Sequence, residues 1–321
     1  MTDPAALAAR LLDGDRAALA RVITLIQRDP RAAAALDPLL APATGRAYTI
    51  GVTGAPGAGK STLVGAMLLD ALGRGQSTAV IALDPESPLT GGAILGDRLR
   101  MERAAIDDRV FLRSVTADAR GGGLSAAAPL IVRALDAAGW PWIVLETVGV
   151  GQSELAIAEA AATTIVVLTP GAGDEVQAIK AGLMEIADVF VINKADHPGV
   201  AATRRDVEQA IAHARGRAWR PVLVEAVATD GRGIAPLWDA VFAHRAHLEA
   251  TQALADQRRR FLKLAVRTLA ARALDARLEA WMNGESGRAL IERVERGEAS
   301  LPGACAEALG GLQGGAASGS A

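Results

Sequence analysis

Residues 47–62 read Ala47-Tyr48-Thr49-Ile50-Gly51-Val52-Thr53-Gly54-Ala55-Pro56-Gly57-Ala58-Gly59-Lys60-Ser61-Thr62. The run Tyr48–Val52 is apolar, as in a strand buried on both faces. From Gly54 the chain carries G-x-x-x-x-G-K-[ST] in full, and a helical segment begins at Lys60. Strand, glycine-rich loop and helix start in that order are the context that makes this pattern a phosphate-binding loop. Without a Cβ in the way, backbone N–H groups converge on phosphate oxygens, and the helix dipole points at the same anion. Gly54, Ala55, Pro56, Gly57, Ala58, Gly59, Lys60, Ser61 and Thr62 are therefore the candidate phosphate site. In such a loop the lysine reaches the β- and γ-phosphates and the Ser61 hydroxyl ligates Mg²⁺.

Outward from this loop, six further β runs follow: Ala79–Leu83, Val110–Val115, Trp142–Glu146, Thr164–Leu168, Val189–Ile192 and Pro221–Val224. Helical segments such as Lys60–Leu72, Leu124–Ala138 and Thr203–Arg215 lie between most of them. Continuous apolar strands alternating with helices predict an α/β fold with a doubly wound, mainly parallel sheet. Ligands of such sheets sit at the carboxyl ends of the strands. Upstream, residues 2–28 carry helical spacing through Leu7, Leu11, Leu12, Leu19, Val22, Ile23 and Ile26, and Asp29-Pro30 is a stop. A second short helix is expected over Ala32–Leu40. From Gly233 the chain reads as helical, with a long amphipathic stretch over Arg258–Met282, a break at Asn283-Gly284 and a restart over Arg288–Arg296. The expected organisation is a helical N-terminal extension (1–46), a P-loop α/β domain (47–250), a helical dimerisation arm (251–309) and a disordered Gly/Ser/Ala-rich tail (310–321). The arm can alternatively be read as a helix closing the sheet.

Composition narrows the classes. A net charge of −2 offers no polyanion-binding surface, so no nucleic-acid partner is expected. The single cysteine, Cys305, allows neither an intrachain disulfide nor a cysteine zinc cluster, which fits a reducing, cytoplasmic compartment. Asp3, Asp13 and Asp15 interrupt the N-terminus, which reads as neither signal peptide nor membrane span.

Three further motifs each follow a strand. Asn193-Lys194-Ala195-Asp196 is N-K-x-D, in which a carboxylate accepts from guanine N1–H and the exocyclic amine, a donor pair that adenine lacks. Asn193 and the Lys194 stem would orient the loop and cover the base. Glu146-Thr147-Val148-Gly149 places a carboxylate where it can hold a water on Mg²⁺ and the Gly149 N–H where it can bond the γ-phosphate. Val150 stands where Ras-type GTPases carry a water-orienting Gln, so slow intrinsic hydrolysis is expected. Asp84, with Asp97 one loop further on, could hold Mg²⁺ through waters or position the attacking water; Asp97 can equally cap a helix starting near Arg98.

Thr90–Asp97, Glu146–Glu154 and Pro170-Gly171-Ala172-Gly173-Asp174-Glu175 together resemble the MeaB/ArgK-type GTPases that accompany methylmalonyl-CoA mutase, over about residues 5–300. The resemblance implies a P-loop NTPase of the SIMIBI class binding GTP or GDP with Mg²⁺. It implies a chaperone that protects or reactivates an adenosylcobalamin-dependent acyl-CoA mutase, and a homodimer through the C-terminal arm. By motif, Ser61, Asp84, Asp97 and Glu146 surround the metal, and Lys60, Asp84, Asp97, Glu146 and Gly149 form the catalytic set. Asn193, Lys194, Asp196, Val227, Ala228 and Thr229 hold guanine. The Gly171–Lys180 loop, with Asp174, Gln177 and Lys180, is the implied extra switch, and Arg100 lies near the earlier one.

The chain departs from the family pattern in three places. Val227-Ala228 replaces Ser-Ala, which keeps the backbone donor for guanine O6 but loses the serine support. Ser114–Gly123 lacks the usual Pro-Ser-rich stretch, and Ala181 replaces a second lysine. His244 and His247, spaced i, i+3, are expected at the surface rather than on a metal. A nickel-delivery GTPase, a small-molecule kinase tied to basic amino-acid transport and a non-catalytic nucleotide-binding module are the competing readings.

Overall fold

The computed structural model describes residues 3–85, 106–117, 127–147, 153–171, 183–213 and 216–314. Three helices open the chain: α1 (Pro4–Leu12), α2 (Arg16–Arg28) and α3 (Pro30–Leu40). Each is started by an aspartate whose carboxylate accepts backbone N–H groups: Asp3 from Ala5, Asp15 from Ala17 and Ala18, and Asp29 from Arg31 and Ala32. The spacing over 2–28 reads as one helical segment. The chain instead breaks at Asp13-Gly14-Asp15, where Gly14 takes φ 86° and Asp15 caps the next helix.

The α/β part alternates β1 (Tyr48–Gly54), α4 (Lys60–Gly73), β2 (Thr78–Pro85), β3 (Val110–Ala117), α5 (Ala128–Ala137), β4 (Trp142–Thr147), α6 (Ser153–Ala160), β5 (Thr163–Leu168), β6 (Val189–Ile192), α7 (Val200–His213), β7 (Val222–Glu225) and α8 (Ile234–Ala250). The seven strands form one sheet in the order β3-β2-β4-β1-β5-β6-β7, and the strand pairs are parallel. Its strands are apolar on both faces. Ala79, Ile81 and Leu83 of β2 face a core built with α1–α3 and α5, whereas Val80 faces the core under α4 and α8. That two-sided burial is what continuous apolar strands require.

The N-terminal helices are fastened to β3. Arg16 donates to the carbonyls of Asp108 and Val110 and lies over the rings of Phe111 and Trp140, and Arg113 donates to Thr24 Oγ1 at 3.0 Å. The linker to β1 is pinned by Asp136 of α5, whose carboxylate accepts from the N–H groups of Gly45, Arg46 and Ala47.

The helices α9 (Ala253–Met282), α10 (Glu285–Glu295) and α11 (Leu301–Gly314) follow. The chain divides into two compact units, residues 1–265 and 266–321. The second has its own small core of Leu290, Ala304 and Ala308, packed by Leu278, Trp281, Met282 and Val294. α11 runs to Gly314, into the stretch that composition alone reads as a disordered tail. Among the described residues no helix is long and apolar enough to cross a membrane.

Candidate nucleotide site

β1, at the centre of the sheet, delivers the glycine loop to the carboxyl edge. Gly59 closes the loop with φ 85°, and a Cβ there would lie 2.5 Å from Nδ2 of Asn193, so both backbone conformation and space demand glycine. No side chain caps α4, whose N-terminus faces the loop it ends. Lys60 is buried and donates its Nζ to the carbonyls of Gly54 and Ala55 at 2.9 and 3.0 Å. The sheet register sets Val52 beside Glu146, which brings the end of β4 next to the loop. The Ser61 hydroxyl donates to Glu146 Oε1, and both side chains are buried. A hydroxyl and a carboxylate converging in a buried corner supply the hard oxygen donors that Mg²⁺ prefers, so these residues fit that ion. Thr53 and Thr147 are joined by a hydroxyl hydrogen bond of 3.0 Å, which ties β1 to β4 at the same level.

The base motif lies across the loop. Asn193, buried, donates from Nδ2 to Ala58 O at 2.9 Å and accepts at Oδ1 from Ala228 N–H at 3.2 Å. One side chain therefore holds the phosphate loop and the segment after β7 together. Lys194 sits at φ 55°, which is uncommon for a non-glycine residue, and its Nζ reaches Gly57 O at 2.8 Å. Gly57, Gly59, Thr62, Asn193, Lys194, Asp196, Val227, Ala228 and Thr229 line one cleft of 1070 Å³. Candidate phosphate and base residues thus share one cavity.

The segment after β7 carries a contact that the sequence reading missed. Val227 is buried and forms an antiparallel bridge with Arg232, its N–H donating to Arg232 O at 3.0 Å. That bond engages the Val227 amide, and Asn193 Oδ1 engages that of Ala228, so the Thr229 amide is the next backbone donor of this segment at the cleft. The only signal in sequence is the Gly231-Arg232-Gly233 run, whose glycines take φ 82° and 81° to turn the chain back.

Asp84 lies in β2, two residues beyond Ala82, which pairs with Glu146. Its backbone therefore projects past Glu146 at the carboxyl edge. Asp97, Arg100, Gly149, Asp174, Gln177 and Lys180 lie outside the described residues, as do Val150 and Ala181.

A second titratable cluster sits at the opposite edge. His244 of α8 is 3% exposed rather than at the surface, correcting the sequence expectation. Its Nδ1 bonds Thr163 Oγ1 at 2.9 Å, its Nε2 lies 3.6 Å from Asp188 Oδ1, and its ring packs on Trp219. Thr163 is bonded in turn to the Tyr48 hydroxyl at 2.6 Å. Burial drives the Asp188 carboxyl up to about 6 despite the N–H of Thr164 and the Arg217 guanidinium. Burial also pushes His244 down to about 4, helped by His247 and Arg217, and raises the Tyr48 phenol.

Comparison with known proteins follows the same lines. Residues 19–283 match the family model described as Methylmalonyl Co-A mutase-associated GTPase MeaB. A Pyrococcus abyssi protein named as a GTPase is 44% identical over 291 residues, covering 89% of this chain and 90% of its own length. GTPase ArgK of Escherichia coli is 41% identical over 251 residues, 75% of this chain and 76% of the relative. Among solved structures, one named as a LAO/AO transport system kinase superposes with a TM-score of 0.69 at 30% identity, covering 98% of this chain and 99% of that one.

Proposed function

Because the chain belongs to the MeaB family of methylmalonyl Co-A mutase-associated GTPases, we propose that its GTP hydrolysis drives the assembly, protection or reactivation of an adenosylcobalamin-dependent acyl-CoA mutase. GTPase activity itself accords with relatives of that name at 41–44% identity over most of the chain. The observation that carries guanine use is Asn193, which locks the phosphate loop to the Ala228 segment and sets Asp196 in the same cleft.

In this reading Lys60 leaves the carbonyls of Gly54 and Ala55 for the β- and γ-phosphate oxygens. Asp196 accepts the two guanine donors, and a backbone amide of the Ala228-Thr229 segment donates to O6. Ser61 and Glu146, with Asp84 and Asp97, would hold Mg²⁺, directly or through waters. The ion would supply charge neutralisation on the β- and γ-oxygens. The Gly149 N–H marks the γ-phosphate. The Gly171–Lys180 loop, through Asp174, Gln177 and Lys180, carries nucleotide state to the mutase, and Arg100 assists at the earlier switch. Residues 47–250 act as the GTPase domain and 251–309 as a dimerising arm, in a cytoplasmic protein.

The likeness to the solved LAO/AO transport system kinase supports a second reading, a kinase linked to basic amino-acid transport. The two separate on nucleotide and partner. Phosphate release from GTP and from ATP, measured with and without a purified adenosylcobalamin-dependent acyl-CoA mutase, is expected to be slow alone, specific to GTP and faster with the mutase. ATP turnover with a basic amino acid, and no response to any mutase, would favour the kinase. Asp174→Ala and Lys180→Ala should retain GTP affinity and lose the mutase response.

A further inference from the structure

The linker into β1, the helices α5 and α6 and the first turns of α9 do not close fully on one another. They leave a cavity of 140 Å³ walled by Ala47, Val132, Ala160, Ala162, Leu254 and Phe261. Its lining belongs entirely to the first compact unit. Native interiors pack to the density of organic crystals, and atoms that face a void give up their dispersion contacts on that side. An apolar cavity of about 150 Å³ is large enough to take up benzene. Leu262, exposed although apolar, lines this one as well.

The polar groups along the lining are nearly all in use. Thr44 donates to Ala41 O, and Thr49 Oγ1 accepts from Ala162 N–H. The Asp136 carboxylate takes the N–H groups of Gly45, Arg46 and Ala47. Gln257 donates to the carbonyls of Ala158 and Ala161 and accepts from Arg260. Arg133 is spent on Asp37 at 2.7 Å. Arg258 is the exception. It lines the cavity, reaches solvent, and has no ion pair among the described residues. Three N–H dipoles already answer the charge of Asp136, so the guanidinium of Arg258 is the charge left for a ligand.

We propose that this cavity is a binding site for a compact apolar monocarboxylate. A body of about six carbon atoms fills the void, and the carboxylate meets the Arg258 guanidinium where the cavity opens to solvent. Phe261 offers an aromatic wall to a ring. Thr49 lies near the start of β1, whereas the phosphate loop follows its end at Gly54. At about 3.3 Å of rise per residue the two stand roughly 17 Å apart. The site is therefore distinct from the nucleotide cleft, and the proposal does not depend on the identity of the mutase.

Benzoate is the probe, with benzyl alcohol as a neutral analogue of similar size. Each is titrated into the full-length protein, with and without saturating GDP, and followed by ligand-observed NMR. Benzoate should bind at one site, roughly fivefold or more tightly than the alcohol, and equally well in the presence of GDP. Arg258→Gln should erase that preference and leave the affinity for the alcohol unchanged. Ala47→Leu adds volume inside the cavity and should abolish binding of both; if that variant does not fold, Arg258→Gln, at an exposed position, still decides. Equal affinity for the two probes, or benzoate binding indifferent to Arg258→Gln, overturns the carboxylate assignment. Binding that GDP displaces, or that a folded Ala47→Leu protein retains, puts the probe elsewhere and overturns the site. If the parent binds neither probe saturably, the cavity is a packing gap only and the proposal falls.

Discussion

Replacing His244 with asparagine should make a flat pH–stability profile steep. The cluster of His244 and Asp188 holds two opposed linkages. The Asp188 carboxyl moves from 3.8 to about 6 on folding, so the fold binds its proton more tightly than the unfolded chain. Stability from this group is fully present below 3.8 and is lost as pH rises through about 6, by about 3 kcal/mol. His244 moves from 6.5 to about 4, so the fold resists its proton. Its contribution is present above 6.5 and lost as pH falls through about 4, again by about 3 kcal/mol. The two slopes have opposite sign over the same window and nearly cancel. Asparagine keeps a polar neutral side chain and deletes only the histidine slope. Urea unfolding at pH 4.5, 5.5 and 6.5 should then show the variant losing on the order of 2–3 kcal/mol relative to the parent's own profile as pH rises. Loss of packing around Trp219 lowers the variant by a constant and leaves the slope untouched. Parallel profiles for parent and variant would refute the reasoning, because the histidine would then have carried no compensating proton.

Three further outcomes concern the nucleotide site. Asp196→Asn should shift preference from guanine toward xanthine nucleotides, read by competition calorimetry, and unchanged guanine preference would contradict the assignment of that carboxylate. Gly59→Ala forces a Cβ to 2.5 Å from Asn193 Nδ2 at a positive φ; GTP affinity should fall by about 2 kcal/mol or more, from the broken Ala58 and Ala228 bonds, and an affinity within twofold of the parent would count against the Asn193 tie. Glu146→Gln keeps the shape around Ser61 and removes the charge, so the Mg²⁺ concentration for half-maximal GTP hydrolysis should rise severalfold, and an unchanged requirement would remove Glu146 from the metal set.

The strands were legible because each is a short, mostly apolar run, and the observed strands differ from the expected runs by a few terminal residues at most. The break in the first helical stretch was not, because Leu7, Leu11, Leu19 and Val22 keep helical spacing on both sides of Asp13-Gly14-Asp15. The turn is decided by Gly14 and the Asp15 cap. Around the cleft, motif spacing singled out Lys60, Ser61, Asn193 and Asp196 as candidates, since each motif is local in sequence. The bridge between Val227 and Arg232 was hidden, because a buried valine gives no sign of which carbonyl its amide will meet. His244 and His247 look alike along a helix, and only Asp188, Thr163 and Trp219, brought in from three other segments, bury the first of them.

The attachment of Arg16 has a consequence for how the protein stays apart from its neighbours. In the parallel ladder, Thr78 N–H takes the carbonyl of Arg109, so the carbonyls of Asp108 and Val110 point away from β2, outward from the last strand. Those are the two that Arg16 occupies. An outermost strand with free carbonyls invites another chain to continue the sheet. The Arg16 guanidinium, with the Arg113 bond to Thr24 further along, blunts the start of that edge. Cutting the chain back to β1 would uncover that edge together with the apolar sheet face of Ala79, Ile81 and Leu83, two surfaces on which one molecule can stack on the next.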